Sequence, residues 1–383
     1  MKKRILCITG TRPEVIKMAP VIHALRATDW AETILAGTGQ HRELATSAFA
    51  AFGLAPDIDL AVMTDNQTLA GLTSRLFHVL EPVLRETSPD VVIAQGDTTT
   101  VMAVAVCCFY LAVPFAHLEA GLRTGNLKDP FPEEYNRLTC GRLAALHFAP
   151  TEVARRALIA EGVAPEKIAL TGNTVIDALM ATEDRAPAGI DPARRLILMT
   201  AHRRENFGAP LHAVFRALRD VLLARADLQL LYPVHPNPNV AEMARRAFAD
   251  VPQAVLTPPL GYEAFVGAMR RSHLIISDSG GVQEEAPALG KPVLVIRNET
   301  ERPEALAAGT ARLVGTGYEA VRGAAEELLD DENAYRAMAR GLSPYGDGRA
   351  AARVTDALEV FLGLKARRQL SDFDAAIPLQ AAG

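Results

Sequence analysis

Residues 91–137 contain VVIAQGDTTT (91–100), VPFAHLEAGLRT (113–124) and DPFPEEYNR (129–137). Two apolar runs each end in a polar cluster. Val91–Ala94 leads into Gly96, Asp97 and three threonines, and Val113–Ala116 leads into His117, Glu119, Gly121 and Arg123. Glu133 and Glu134 follow on a proline-broken loop. Short continuous apolar runs of this kind read as strands buried on both faces of a parallel sheet. Such sheets bind ligands at the carboxyl ends of their strands. Acids at two strand ends and on a neighbouring loop therefore point to proton transfer on a bound molecule.

The same rhythm extends in both directions. Ile5–Ile8, Thr33–Ala36 and Leu146–Ala149 read as further strands, and Glu14–Ala27 and Leu69–Thr87 have apolar residues at helical spacing. After about Asp177 a stretch rich in Ala, Pro and Asp, Thr182–Arg195, reads as a linker. New strand-like runs follow at Leu196–Thr200, Leu228–Pro233, Ala254–Thr257, Leu274–Ser277, Val293–Ile296 and Ala311–Val314. The expected fold is α/β, with two Rossmann-like domains and a cleft between them. The expected division is 1–175 and 176–353, with a polar, loose tail over 369–383.

Composition narrows the function classes. The 383 residues are 49% hydrophobic and 22% charged, a normal globular balance with material for two cores. A net charge of −5 argues against a nucleic-acid surface but says little about one pocket. Cys7, Cys107, Cys108 and Cys140 lack paired-ligand spacing, so buried reduced thiols are expected rather than a zinc site or disulfides. No run approaches the roughly 20 apolar residues of a membrane span, and a cytoplasmic protein is expected.

Further motifs sit where strands end. Gly10-Thr11-Arg12-Pro13-Glu14 opens a helix whose free N–H groups attract anions, with Arg12 and Lys17 adding charge. It is not the GxGxxG of dinucleotide sites. Ser277-Asp278-Ser279-Gly280-Gly281-Val282-Gln283-Glu284-Glu285 places glycines where a phosphate can approach the backbone and a carboxylate where ribose hydroxyls can reach it. His202 and Arg203 follow the strand Leu196–Thr200, and His235 stands between prolines after Leu228–Pro233. Plainer readings stand beside these. Asp97 is placed to cap a helix, Glu119 to pair with Arg123, and Glu133 to be a solvated loop acid. His23, His78, His147, His212, His273 and Trp30 read as structural.

The ordered set GTRPEVIKMAP, TGQHRE, QGDTTT, HLEAGLRT, FPEEYNR, TGNTVIDAL, AHRREN, YPVHPNP, SDSGGVQEEAPALGKPVL and ERPEA resembles the non-hydrolysing UDP-N-acetylglucosamine 2-epimerases from about Lys3 to about Leu362. The resemblance implies a glycosyltransferase-B-like architecture, a homodimer, no metal or redox cofactor, and interconversion of UDP-N-acetylglucosamine with UDP-N-acetylmannosamine. It also implies that the C-terminal helix, about 354–364, returns to the first domain. By the family's motifs Asp97, Glu119, Glu133 and His202 are expected to be catalytic, with Asp97 favoured as the C2 base. Arg12, Lys17, His235, Phe265, Ser279, Gly280, Gly281, Glu285 and Arg302 are expected to hold the UDP-sugar, Phe265 against uracil and Glu285 on ribose. Gln40, His41, Arg42, Gln67 and Arg203 fall at or near motifs with which bacterial relatives bind a second UDP-N-acetylglucosamine as activator.

The chain departs from the family pattern in three places. Asn66 stands where relatives often carry arginine, Gly261 replaces the aspartate of PLDY, and Asn298-Glu299 replaces an aspartate–threonine pair. Related epimerases act on diacetamido uronic acid sugars, and a hydrolysing relative releases UDP. A glycosyltransferase of the same fold would leave the three acids unexplained, and retained acids argue against a non-catalytic UDP-sugar sensor.

Overall fold

The computed structural model describes residues 1–375 except 40, 41, 65, 66, 204, 205 and 301; the side chains of 42–46 lie outside the description. The chain divides into two units, Met1–Ala181 with Tyr345–Asp374, and Thr182–Pro344.

In the first unit the chain runs β1 (Lys3–Thr9), α1 (Arg12–Arg26), β2 (Ala31–Gly37), α2 (Arg42–Ala51), β3 (Ile58–Asp59), α3 (Leu69–Thr87), β4 (Val91–Gln95), α4 (Thr99–Tyr110), β5 (Phe115–Leu118), α5 (Glu133–Leu143), β6 (Leu146–Ala149), α6 (Glu152–Ala160), β7 (Ile168–Leu170) and α7 (Thr174–Ala181). The described strands form one parallel sheet in the order β3-β2-β1-β4-β5-β6-β7. Alternate residues feed its two faces. Ile5, Cys7, Val91 and Ile93 pack with α1, while Leu6, Ile8, Val92 and Ala94 pack with α3 and α4. That is why the runs read as uninterrupted apolar stretches.

The second unit runs β8 (Arg195–Thr200), α8 (Ala209–Leu223), β9 (Leu228–Pro233), α9 (Pro238–Ala247), β10 (Ala254–Thr257), α10 (Tyr262–Arg271), β11 (Ser272–Ser277), α11 (Gly280–Ala288), β12 (Val293–Val295), α12 (Pro303–Ala307), β13 (Ala311–Leu313), α13 (Tyr318–Asp330) and α14 (Glu332–Met338). Its described strands are parallel in the order β10-β9-β8-β11-β12-β13. Both sheets therefore wind outward from a pair of central strands, β1/β4 and β8/β11. Between each pair lies the switch point where doubly wound sheets bind ligands.

The C-terminal helix α15 (Ala350–Phe361) packs on the first unit through Ala351, Val354, Ala357 and Leu358. The Asp177 carboxylate accepts from the amides of Ala350 (3.1 Å) and Ala351 (2.8 Å), supplying an N-terminal cap from distant sequence. One expectation needs correction and another is met in part. Of the tail expected to be loose, residues 369–373 are docked, and 376–383 lie outside the described residues. Gln369 and Leu370 donate their amides to Asp356 at 2.7 and 2.9 Å, and the Phe373 amide donates to Leu170 O at 2.9 Å. Phe373 is buried against Ala149, Leu158 and Leu170. The strand expected at Val113–Ala116 instead begins at Phe115. Val113 is still turning out of α4, its amide donating to Cys108 O at 2.9 Å, and Ala112 has φ 53°. The shift carries the strand on to Leu118.

Among the described residues no helix is long and apolar enough to cross a membrane. All four cysteines are free and buried, and burial pushes their thiols up, Cys7 to about 12 and Cys107 to about 11.

Candidate active site

The first switch point is built from the loops after β1 and β4. Pro13 lies in the first turn of α1, and Glu14 reaches back to accept from the Thr11 amide at 3.0 Å and from the Gly10 amide. Its other oxygen accepts from Thr98 Oγ1 at 2.6 Å. One buried carboxylate thus spans both loops. Burial raises Glu14 to about 7, against the lowering effect of its hydrogen bonds, with Asp97 adding a further rise. The approach is close enough to require Gly10. A Cβ there would lie 2.7 Å from Thr38 Oγ1 and 2.9 Å from Thr100 Oγ1. Arg12 is the first residue of α1.

Asp97 follows Gly96, whose φ of 87° turns the chain at the strand end. Thr98, not Asp97, caps α4, so the capping alternative for Asp97 does not hold. Asp97 is held instead by α5. Arg137 lies 2.8 Å from its Oδ2, and Asn136 Nδ2 donates to its carbonyl at 2.8 Å. Arg137 is in turn held by Glu134 (3.2 Å), a buried acid that accepts from the amides of Thr124 (3.0 Å) and Gly125 (2.9 Å). Glu133 is half-buried at the start of α5. His117 is buried, and desolvation brings it down to about 4. The neutral ring donates Nε2–H to Gly96 O at 2.7 Å, fixing the same turn.

Glu119 stands just past β5 with φ 63°, a left-handed conformation that costs a non-glycine residue energy. Three donors hold it there: Lys17 Nζ at 2.6 Å, Asn173 Nδ2 at 3.0 Å and Gln95 Nε2. It does not pair with Arg123, which grips Glu161 at 2.7 and 2.9 Å. Lys17, expected at the ligand, lies on Glu119.

The second switch point is built from the loops after β8 and β11. Asp278, fully buried, accepts from the amides of His202 (3.1 Å to each oxygen) and Arg203 (3.0 Å) and from Asn206 Nδ2 (3.0 Å). His202 Nδ1 lies 3.2 Å from its Oδ1. Ser279 occupies the N-cap position of α11 without a side-chain cap hydrogen bond, and its amide donates to Ser277 Oγ at 2.9 Å, so the Ser279 N–H points inward. Gly280 and Gly281 open the helix, where first-turn amides have no intrahelical acceptor. Glu285 is buried and accepts from Tyr262 Oη at 2.7 Å. Arg302 pairs with the buried Glu284 and sits over Gly280.

The structure thus gathers Arg12, Lys17, Asp97 and Glu119 in the first unit, and His202, Ser279, Gly280, Gly281, Glu285 and Arg302 in the second. His235 lies after β9, its Nδ1 accepting from the Asn237 amide at 3.1 Å and its ring 5.7 Å from that of Phe207. Phe265 is half-buried on α10. Arg203 is anchored by its backbone, and Gln67 receives Arg75 Nη2 at 2.5 Å. Gln40, His41 and the Arg42 side chain lie outside the described residues. The sequence reading quoted Glu14, Glu134 and Asp278 within its motifs without giving any of them its own role, and did not single out Gln95, Arg137 or Asn173. A capping-box pattern, Thr11 with Glu14 three residues on, was available for the first of them.

A family model described as UDP-N-acetylglucosamine 2-epimerase matches residues 23–359. The chain belongs to that family. The UDP-N-acetylglucosamine 2-epimerase of Escherichia coli strain K12 is 46% identical over 369 residues, covering 93% of this chain and 98% of its own. The S. aureus MnaA structure with UDP superimposes with a TM-score of 0.90 at 42% identity, over 97% of this chain and all (100%) of that one. The Neisseria meningitidis UDP-GlcNAc 2-epimerase bound to UDP-GlcNAc gives 0.86 at 40% identity, over 93% and 99%. Two Rossmann-like domains of glycosyltransferase-B-like class are thus the fold of this 2-epimerase family member.

Proposed function

We propose that this chain interconverts UDP-N-acetylglucosamine and UDP-N-acetylmannosamine without net hydrolysis. The sugar's C2 hydrogen is not acidic, because C2 carries an amide nitrogen and flanks no carbonyl. Removing that proton becomes feasible when UDP leaves C1 in the same step. The C2–H pair then forms the C1=C2 bond of 2-acetamidoglucal, and the C1–O pair departs on the β-phosphate. UDP adds back to C1 while a proton arrives at C2 from the other face.

The observation that carries this reading is the contrast between two strand-end acids in the first unit. Glu119 is enclosed by Lys17, Gln95 and Asn173, which suits it to hold the site together. The Asp97 side chain keeps 26% of its surface exposed and is oriented by Arg137, which suits it to take the C2 proton. Glu133 is assigned to the opposite-face proton. In the second unit the Gly280 and Gly281 amides, the Ser279 hydroxyl and His202 suit a departing diphosphate, with Arg12 and His235 as further contacts. Glu285 is assigned to ribose, Phe265 to uracil and Arg302 to phosphate, with Lys17 acting through Glu119. A homodimer, cytoplasmic residence and an activator site near Gln40, His41, Arg42, Gln67 and Arg203 belong to the same reading.

The test is to incubate the protein with UDP-N-acetylglucosamine and follow products and free UDP by NMR. A steady mixture of the two UDP-sugars with UDP remaining a trace is expected. UDP release stoichiometric with substrate would assign a hydrolysing enzyme instead.

A further inference from the structure

Asp278 is a buried acid with no assigned part in the chemistry. It stands directly after β11, yet its hydrogen-bond donors come from the loop after β8. It therefore ties together the two loops that flank the second switch point. Asn206 extends the tie by donating also to Ile296 O at 3.2 Å, beyond the end of β12. His202 Nδ1 lies 3.2 Å from Asp278 Oδ1, close enough for a ring N–H to donate to a carboxylate, which can only accept. With Nδ1–H directed at Asp278, the ring's contact with a ligand falls to Nε2. The His202 side chain is 49% exposed, so its outer edge is open to such a contact while its inner edge is anchored.

We propose that Asp278 is a positioning residue for His202, setting its tautomer and ring orientation so that Nε2 faces the departing diphosphate. The kinetic part of this inference rests on the reading of the His202 loop as a phosphate clamp; the tautomer does not. A neutral asparagine at 278 keeps the shape of the side chain. It also offers an amide N–H where the ring needs an acceptor, allowing the ring to turn over.

Two measurements test this. The first uses the wild-type protein with ¹⁵N-labelled histidine, the His202 signal being identified by its loss in His202→Gln. Nδ1 is expected to stay protonated throughout a pH titration; an Nε2–H neutral tautomer would overturn the inference. The second is a cycle of Asp278→Asn, His202→Gln and the double variant, read as kcat/KM for epimerisation. Asp278→Asn is expected to lower kcat/KM about ten- to one-hundred-fold, the worth of one charge-assisted hydrogen bond. In the His202→Gln background the same change is expected to cost less than about threefold. Equal losses in both backgrounds would reduce Asp278 to a loop anchor and overturn the proposal. If Asp278→Asn does not fold, the wild-type tautomer decides alone. If wild type shows no epimerisation, the proposed function falls while the tautomer result stands.

Discussion

Glu14 and Asp278 do the same task in different units. Each is a buried carboxylate that joins the two loops beside a switch point. Glu14 makes a testable electrostatic claim. Its value rises from 4.5 unfolded to about 7 folded, so the protonated form is favoured in the fold. The stability this contributes is fully present below about pH 4.5 and is lost as pH rises through about 7. In Glu14→Gln that loss is absent. The variant should therefore gain stability relative to wild type between pH 5 and 8, by up to about 3 kcal/mol. Urea denaturation of both proteins across that range checks the sign; a difference independent of pH would contradict it. Glu134 and Asp278 were hard to read because each has another candidate acid or polar group beside it, and Glu14 was legible only as a capping-box acid. Whether Glu133 or Glu134 turns inward depends on where α5 starts, and hydrophobic periodicity does not resolve that in a helix this polar. Asp97 and Glu119 were legible because each follows an apolar run that can only be a buried strand.

The strands of four or more residues were legible for the same reason. β3, with two residues, carries too little pattern to separate it from loop, and β7 was missed although the equally short β12 and β13 were read. β5 was misplaced by two residues because Val113 and Pro114 are apolar yet belong to the turn leaving α4. The docked tail was illegible for a different reason. Its partners, Asp356 and Arg353 on α15 and Leu170 on β7, are polar or backbone groups brought to it only by the fold. Arg353 grips Asp347 at 2.7 and 2.6 Å and also donates to Thr171 O at 3.1 Å, next to the turn that presents Asn173 to Glu119. Hydrogen exchange tests the docking. The amides of Gln369, Leu370 and Phe373 should exchange at least about tenfold more slowly than an unstructured peptide of the same sequence. Exchange at the peptide rate would restore the loose tail.

At the scale of the molecule, two sheets with the same winding carry different chemistry at equivalent places. The first switch point offers acids, held by Lys17, Arg137 and Asn173; the second offers helix-start amides, a histidine and an arginine. We propose proton transfer at the first and charge stabilisation of the leaving diphosphate at the second. Asp97 is the proposed base that breaks the C2–H bond. The direct measurement is incorporation of solvent deuterium at C2 during turnover of UDP-N-acetylglucosamine in ²H₂O, for wild type and for Asp97→Asn with its UDP binding measured alongside. Deuterium at C2 is expected in the wild-type products, with its loss in an Asp97→Asn protein that still binds UDP. Epimerised product retaining protium at C2, or exchange by Asp97→Asn at the wild-type rate, would contradict that role.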